Sequence, residues 1–555
     1  MMSSFSKDGS TFEIQKEFTF RAVLWGIIVG IIMMALLIYL AAVAGMDLNV
    51  SPVASVLGVI LIPLVGGATN KKEINIMQTT ASAVALSCSG LAVNYISAIL
   101  LGYEYNWYSI IIPLFLANMI GICFVTLIRK QMVEDPNLLF PQSVMCKTAI
   151  DNAGKLTGRD AKLLFLFTFI GLVVVFLQNV VGIIPVVFDF TKFLPKGMVM
   201  GILMMPMMLG MGYILGFKIS IILLAGSLIS NIILAPIGTN LGWYTNPQVD
   251  YSAMQNFNIP IMIGMSLFAS VIPLLRQRKA FFEAFKIGGN GLGEESKFIS
   301  SRSLILCMVV CSIGILVFYK AVYDVNPLYM LFFLVLGMAT ALIAVRVQAE
   351  SGLSAALAFT IFQIIVVYSI IKDPIIAILI SFMSGAITLL AQNTMMDLKT
   401  GYMLDASPIK QVWCQIIGII PGIIIGTIFF YGLLKTYGTT SEYMSYPIGK
   451  MYYAVASGLS GTAGATNVFH AGRFILGSLI GVVMSFIGLP AGALAITLYL
   501  SPAVVSSVAV GGVIRGAVEK SLGNSKAEFY NNAATGLVVG DALVAVLIVV
   551  MSMLM

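Results

Sequence analysis

Five acidic residues stand apart from the rest of this sequence. Of 24 Asp and Glu residues in 555, most fall in polar loops or at the ends of apolar runs, whereas Glu73, Glu350, Asp397, Asp405 and Asp541 do not. An acid carried into a bilayer costs at least about 2.5–3.5 kcal/mol on insertion scales, so one retained there marks a pathway, a proton site or a paired partner. Glu73 lies in Lys71-Lys-Glu-Ile-Asn-Ile-Met-Gln-Thr-Thr-Ala-Ser-Ala. Read as a helix, this segment places Asn75, Gln78, Thr79 and Ser82 on a polar stripe adjoining Glu73 and Met77. A polar stripe on an apolar helix faces a bundle interior or a cavity; Glu73 itself also reads as a helix-start residue in the headgroup zone beside Lys71 and Lys72. Arg346 and Glu350 are one turn apart, a spacing that allows an intrahelical ion pair. They read either as an interfacial cap between two spans or as solute-facing groups. The densest polar stretch runs from Gln392 to Pro408 and includes Asn393, Asp397, Lys399 and Asp405. It follows an apolar segment directly, and by composition it is either part of a site or a solvent loop.

Other chemistries find no residues to carry them. His470 is the sole histidine and the six cysteines are scattered, so no usual ligand spacing assembles a zinc or iron cage. Cys307 and Cys311 share a helix face, and buried packing explains that spacing better than a redox pair. No Walker A motif, HExxH or GxSxG occurs. The expectation is no metal, no cofactor and no enzymatic activity. Asp541 reads as either a structural partner or a pathway residue. The net charge of +7 comes from Lys and Arg sitting largely in loops, which is positive-inside bias rather than a nucleic-acid footprint.

The elements that must position these residues follow from composition. Apolar residues make up 59% of the chain, charged residues 10%, and mean hydropathy is +0.99. Soluble domains keep roughly a quarter of their residues charged. Apolar runs of about 20 residues, long enough to span a hydrocarbon core as helices, recur at 22–44, 110–128, 163–184, 304–319, 374–390, 416–434 and 537–554. They are continuous rather than alternating, so helices and not barrel strands are expected. The fold class is therefore an all-α polytopic membrane bundle of about 16 transmembrane helices, with a multi-pass location in the inner or plasma membrane. The expected organisation is a cytoplasmic N-terminal tail (1–19), a first membrane half (20–275), a polar cytoplasmic linker (276–302) and a second half (303–555). Two equal halves suggest an internal repeat. The Gly/Ala/Ser/Thr-rich stretch 454–471 reads as a broken or re-entrant segment. Arg515, Lys520 and Lys526 fall outside if every later segment is a simple span, which also points to re-entrant pieces or a count off by one.

Several of these stretches resemble one family. Glu73-Ile-Asn-Ile-Met-Gln-Thr-Thr-Ala-Ser-Ala is similar to the E-x-N-x-x-Q-T-x-A-S-A signature of the oligopeptide transporter (OPT) family. Leu139-Phe-Pro-Gln-Ser-Val-Met-Cys-Lys resembles its FPxxxAC segment, with Lys147 where members often carry Glu. Asp397-Leu-Lys-Thr-Gly-Tyr-Met-Leu-Asp-Ala-Ser-Pro-Ile-Lys-Gln resembles its D-L-K-T-G-Y run, with Asp405 where Gly is common. Gly488-Leu-Pro-Ala-Gly-Ala-Leu-Ala and Gly511-Gly-Val-Ile-Arg resemble its closing region. The resemblance implies about sixteen helices, proton-coupled uptake of oligopeptides or of metal–chelate complexes as in the prokaryotic relatives of the yellow-stripe-like branch, and a homodimer.

The resulting expectation is a secondary active transporter with a small-molecule solute and a lipid environment. Burial disfavours the charged form of a carboxylate, so a desolvated acid can exchange a proton near neutral pH. Glu73, Asp397 and Glu350 are the expected proton-coupling acids; Asn75, Gln78, Thr79, Asn393 and Lys399 are the expected solute contacts, Lys399 on a solute carboxylate. The rival is an uncoupled channel, although no repeated selectivity loop is present. A membrane pyrophosphatase is excluded by the lack of clustered aspartates.

Overall fold

In lipid the backbone has no water to bond, and an α-helix satisfies its N–H and C=O groups within the segment. The apolar runs fold accordingly. A computed structural model describes residues 17–44, 50–64, 70–151, 159–276, 301–352, 354, 356–439, 446–460, 470–489, 491–498 and 500–554. The tail before Glu17, the linker 277–300 and the centre of the Gly-rich stretch (461–469) lie outside the described residues.

The first half opens with α1 (Phe20–Ala44), α2 (Val50–Leu64) and α3 (Lys71–Leu86), which a π-helical turn (Leu91–Tyr95) joins to α4 (Ile96–Leu100). Next come α5 (Tyr108–Val133), α6 (Pro141–Asp151) and α7 (Arg159–Phe176). A two-stranded antiparallel ribbon, β1 (Val187–Asp189) with β2 (Gly201–Leu203), pairs Phe188 opposite Ile202. It is the only sheet among the described residues, and the one departure there from an all-helical chain. The half ends with α8 (Pro206–Leu215), α9 (Phe217–Leu228), α10 (Ala235–Asn240) and α11 (Tyr251–Arg276). The second half runs through α12 (Ser301–Tyr323), α13 (Pro327–Ser351), α14 (Ala356–Ile371), α15 (Pro374–Met403) and α16 (Pro408–Tyr437). It continues with α17 (Pro447–Leu459), α18 (Ala471–Ile487), α19 (Ala491–Ile496), α20 (Pro502–Leu522), α21 (Asn524–Phe529) and α22 (Asn531–Leu554). Among the described residues nine helical stretches are long and apolar enough to cross a membrane, and five shorter apolar helices accompany them.

The polar stretch after residue 391 is not a solvent loop. α15 starts at Asp373, whose carboxylate accepts from Ile375 N at 2.8 Å and Ile376 N at 3.0 Å. It then continues through Gln392, Asn393 and Asp397, all buried, to Met403. The turn into α16 places Asp405 at φ 52°, a left-handed conformation that glycine adopts freely and Asp tolerates better than most residues.

Small residues set the contacts among α1, α3 and α16. A Cβ on Gly26 would come within 2.6 Å of Thr80 Cβ, and one on Gly418 within 2.7 Å of Ala83 Cβ. Gly422 and Gly426, one and two turns further along α16, press on Ser87 and Cys88 in the same way. Helices in lipid associate through such close packing, because apolar surface alone gives no preference for a neighbouring helix over lipid.

The N-terminal ends of α1, α3 and α16 meet on one face of the bundle, where ion pairs hold them. Arg21 grips Glu73 through Nε–Oε1 at 2.6 Å and Nη2–Oε2 at 2.7 Å, and Thr19 Oγ1 donates to the same carboxylate at 2.5 Å. Lys71 reaches Asp151 at the end of α6 at 2.7 Å, and Lys147 also binds Asp151. Glu17 sits between Lys410 (3.0 Å) and Lys72 (3.3 Å) and accepts Ser407 N at 3.2 Å. Burial of Glu17 opposes its ionisation, but Lys410, the Ser407 amide and Lys72 outweigh it and hold the carboxyl below its ordinary value of 4.5. A lowered carboxyl value adds stability that is complete above the ordinary value and is lost as pH falls through the lowered one. Glu17→Gln should therefore unfold at lower temperature than the parent at pH 7, and the gap should close as pH drops below about 4. Thermal unfolding in detergent across that range reads it out.

Candidate functional site

Asp397 is 1% exposed, and no cation among the described residues pairs with it. Five donors from four helices satisfy it instead. Gln78 Nε2 (2.6 Å) and Ser51 Oγ (3.2 Å) donate to Oδ1. Ser82 Oγ (2.6 Å), Gln415 Nε2 (2.7 Å) and Asn393 Nδ2 (3.2 Å) donate to Oδ2. Gln411 Nε2 adds a bond to the Asp397 backbone carbonyl at 2.7 Å. Burying a lone ion costs several kcal/mol, and a hydrogen bond to a charged group returns about 1.5–3 kcal/mol. These bonds stand where a counter-ion otherwise would and offset part of that cost. Turning toward Asp397 has a cost for the amides: the Oε1 atoms of Gln78, Gln411 and Gln415 are buried without a partner.

A cavity of about 290 Å³ adjoins this cluster, sharing Ser51 and Asn393 with it. Part of its lining is neutral and polar, formed by Asn94, Gln142, Gln348, Gln392 and Asn393. Another part is apolar, with Met207, Met208 and Met211 of α8, Leu37 and Tyr452. No charged side chain is among the described residues that line it. The break between α13 and α14 opens onto this space: Gly352 ends α13 at φ 72° and lines the cavity with Ser354. Gln348 Nε2 donates to Gln142 Oε1 at 3.0 Å, Gln142 Nε2 to Gly352 O at 3.2 Å, and Ser354 Oγ to Gln392 Oε1 at 3.2 Å. A cavity at a helix break is the arrangement membrane carriers use to place polar backbone at mid-bilayer.

The residues singled out from the sequence do not all gather here. Gln78, Asn393 and Asp397 form the cluster, and Thr79 Oγ1 lies 3.4 Å from Gln411 Nε2 at its edge. Asn75, on the same helix, is fully buried with neither amide atom bonded. Glu73 is held by Arg21 at the helix ends described above. Glu350 pairs with Arg346 (Nε–Oε1 3.2 Å), whose Nη1 lies 3.7 Å from Asp135. Lys399 donates to Val133 O at 2.6 Å with its ammonium 5.1 Å from the Phe140 ring centre, and it does not line the cavity. The sequence assigns no site role to Ser51, Gln411 or Gln415, although Gln411 closes the run that begins at Asp397. The signal for the last two was their i,i+4 spacing on an otherwise apolar helix; Ser51 offered none.

Comparison with known proteins places this architecture. A family model described as OPT oligopeptide transporter protein matches residues 17–552. The protein named "Putative oligopeptide transporter YGL114W" of Saccharomyces cerevisiae is 28% identical over 159 residues, which cover 28% of this chain and 22% of that protein. The family match takes in every helix that contributes to the cluster and the cavity, from α1 to α17. On that ground the chain belongs to the OPT oligopeptide transporter family, a family of multi-pass membrane transporters.

Proposed function

We propose that the protein is a proton-coupled secondary transporter of short peptides, working by alternating access around the 290 Å³ cavity, with Asp397 as the proton-carrying group. The carrying observation is the pairing of a solute-sized neutral cavity with a buried carboxylate held only by hydrogen bonds. Small-molecule sites run from about 300 to 1,000 Å³, so this one suits a di- or tripeptide better than a large complex. The free amino end of a peptide is attracted to the Ser51–Asn393 wall, behind which the Asp397 charge lies; its carboxylate and amides meet the glutamine wall. A metal–chelate complex with net negative charge finds no Arg, Lys or His among the described lining residues, and that favours peptide over chelate.

Orientation follows from charge. Arg21, Lys71, Lys72, Lys147 and Lys410 crowd the face where α1, α3 and α16 begin. By the positive-inside bias this is the cytoplasmic face, with Glu17 and the start of α1 on it.

The test is uptake into proteoliposomes with and without an inward proton gradient. Labelled glycyl-leucine, its N-acetyl form and an Fe(III) chelate are compared side by side. Saturable, gradient-stimulated uptake of glycyl-leucine is expected, with N-acetylation lowering uptake about 10- to 100-fold by removing a charge-assisted contact. Uptake of the chelate without the peptide, or ion leak without saturation, overturns the reading.

A further inference from the structure

We propose that α8 is the side-chain subsite of this cavity, a thioether wall that selects peptides carrying an apolar side chain of variable shape. The inference deepens the peptide-transport reading and rests on it. Met207, Met208 and Met211 are spaced to share one face of α8, and all three line the cavity. Met207 and Met211 pack together with Met145 of α6 in one apolar cluster, and Met205 and Met208 lie against it. Methionine is unbranched and polarisable, so it remoulds around different apolar partners where Leu or Val would hold one shape.

The rest of α8 is held rigidly. A Cβ on Gly210 would meet Val538 Cγ2 of α22 at 2.9 Å, and one on Gly212 would meet Val508 Cα of α20 at 2.8 Å. The helix start is fixed by Asp541 of α22, which is 3% exposed and accepts Met207 N through Oδ2 at 2.9 Å. The first N–H groups of a helix have no partner within it, and the dipole there favours a carboxylate. Asp541 thus anchors the start of the helix that carries the methionine face. A fixed backbone carrying flexible thioethers gives a subsite of constant place and adaptable shape. With no cation among the described lining residues, none of them pairs with an acidic side chain there.

The experiment compares KM values for glycyl-leucine, glycyl-glycine and glycyl-aspartate in proteoliposomes made with the full-length protein. The parent is expected to prefer glycyl-leucine over both others by about tenfold or more, the scale on which apolar pockets discriminate. Met211→Ala should cut the leucine-to-glycine preference about tenfold, and Met211→Leu should keep it within about twofold. Met208→Ala serves as the second truncation if Met211→Ala does not fold, judged by its thermal unfolding. A preference unchanged by truncation, or a parent that handles all three dipeptides equally, overturns the subsite while leaving peptide transport standing. A parent that transports none of them removes the transport reading and the subsite together.

Discussion

Asp397→Asn is expected to abolish gradient-driven accumulation of peptide, by about 100-fold or more, while equilibrium exchange of peptide across the membrane persists. The five groups around the carboxylate all point donors at it. Asn cannot bind or release a proton, so the coupled half of the cycle has no carrier. Its side chain also puts an N–H₂ where an acceptor was, opposing donors from either Gln78 and Ser51 or Ser82, Gln415 and Asn393. One misdirected buried pair costs about 1–3 kcal/mol, a cost that Gln78 and Gln415 can reduce by rotating. Each has a buried, unbonded Oε1 that becomes an acceptor for the new amide when the side chain turns over. The same rotation accommodates a protonated Asp397, whose O–H needs an acceptor. The variant therefore mimics the protonated state and should fold. Counterflow of labelled against unlabelled glycyl-leucine should survive while proton-driven uptake is lost. Accumulation at parental rates would remove Asp397 from the coupling role.

Gly422→Ala should be the most damaging single-methyl change at the α3–α16 contact. The added Cβ lands on Ser87 Oγ and on the Val84 carbonyl oxygen, and backbone cannot move aside as a long side chain would. Overpacking of this kind costs about 1–3 kcal/mol. The consequence reaches the site, because α3 carries Gln78 and Ser82 while α16 carries Gln411 and Gln415. Separating the helices by a fraction of an ångström stretches four of the bonds that hold Asp397. Gly432→Ala on the same helix is the control, since its Cβ meets nothing within 4 Å. There the better helix propensity of alanine, up to about 1 kcal/mol, is the only effect. The expected result is a clear drop in thermal unfolding temperature and in transport rate for Gly422→Ala and neither for Gly432→Ala. Equal behaviour of the two variants would show that this contact is not what aligns the cluster.

The membrane fold was legible in the chain itself, because spanning length and lack of charge are local properties that any apolar helix must meet. Asp397 was legible for a related reason: an acid beside a long apolar run is costly enough to need a cause. What surrounds it was not. The stretch from Gln392 onward reads equally as loop by composition, and only the continuation of α15 past residue 391 puts its amides inside. Ser51, Ser82, Gln411 and Gln415 are ordinary polar residues one at a time. Their convergence depends on Gly418, Gly422 and Gly426 letting α16 lie against α3, and on α2 bringing Ser51 across to α15. The partners of Lys399 and Glu73 are likewise set at a distance, by the Val133 carbonyl at the end of α5 and by Arg21 on α1. That this chain spans a bilayer many times and keeps a carboxylate there is written residue by residue, since hydrophobic length and the cost of charge are local. Tertiary structure alone decided which donors meet that carboxylate and which wall of the cavity is methionine. Those are properties of helix packing, and helix packing is settled between residues hundreds of positions apart.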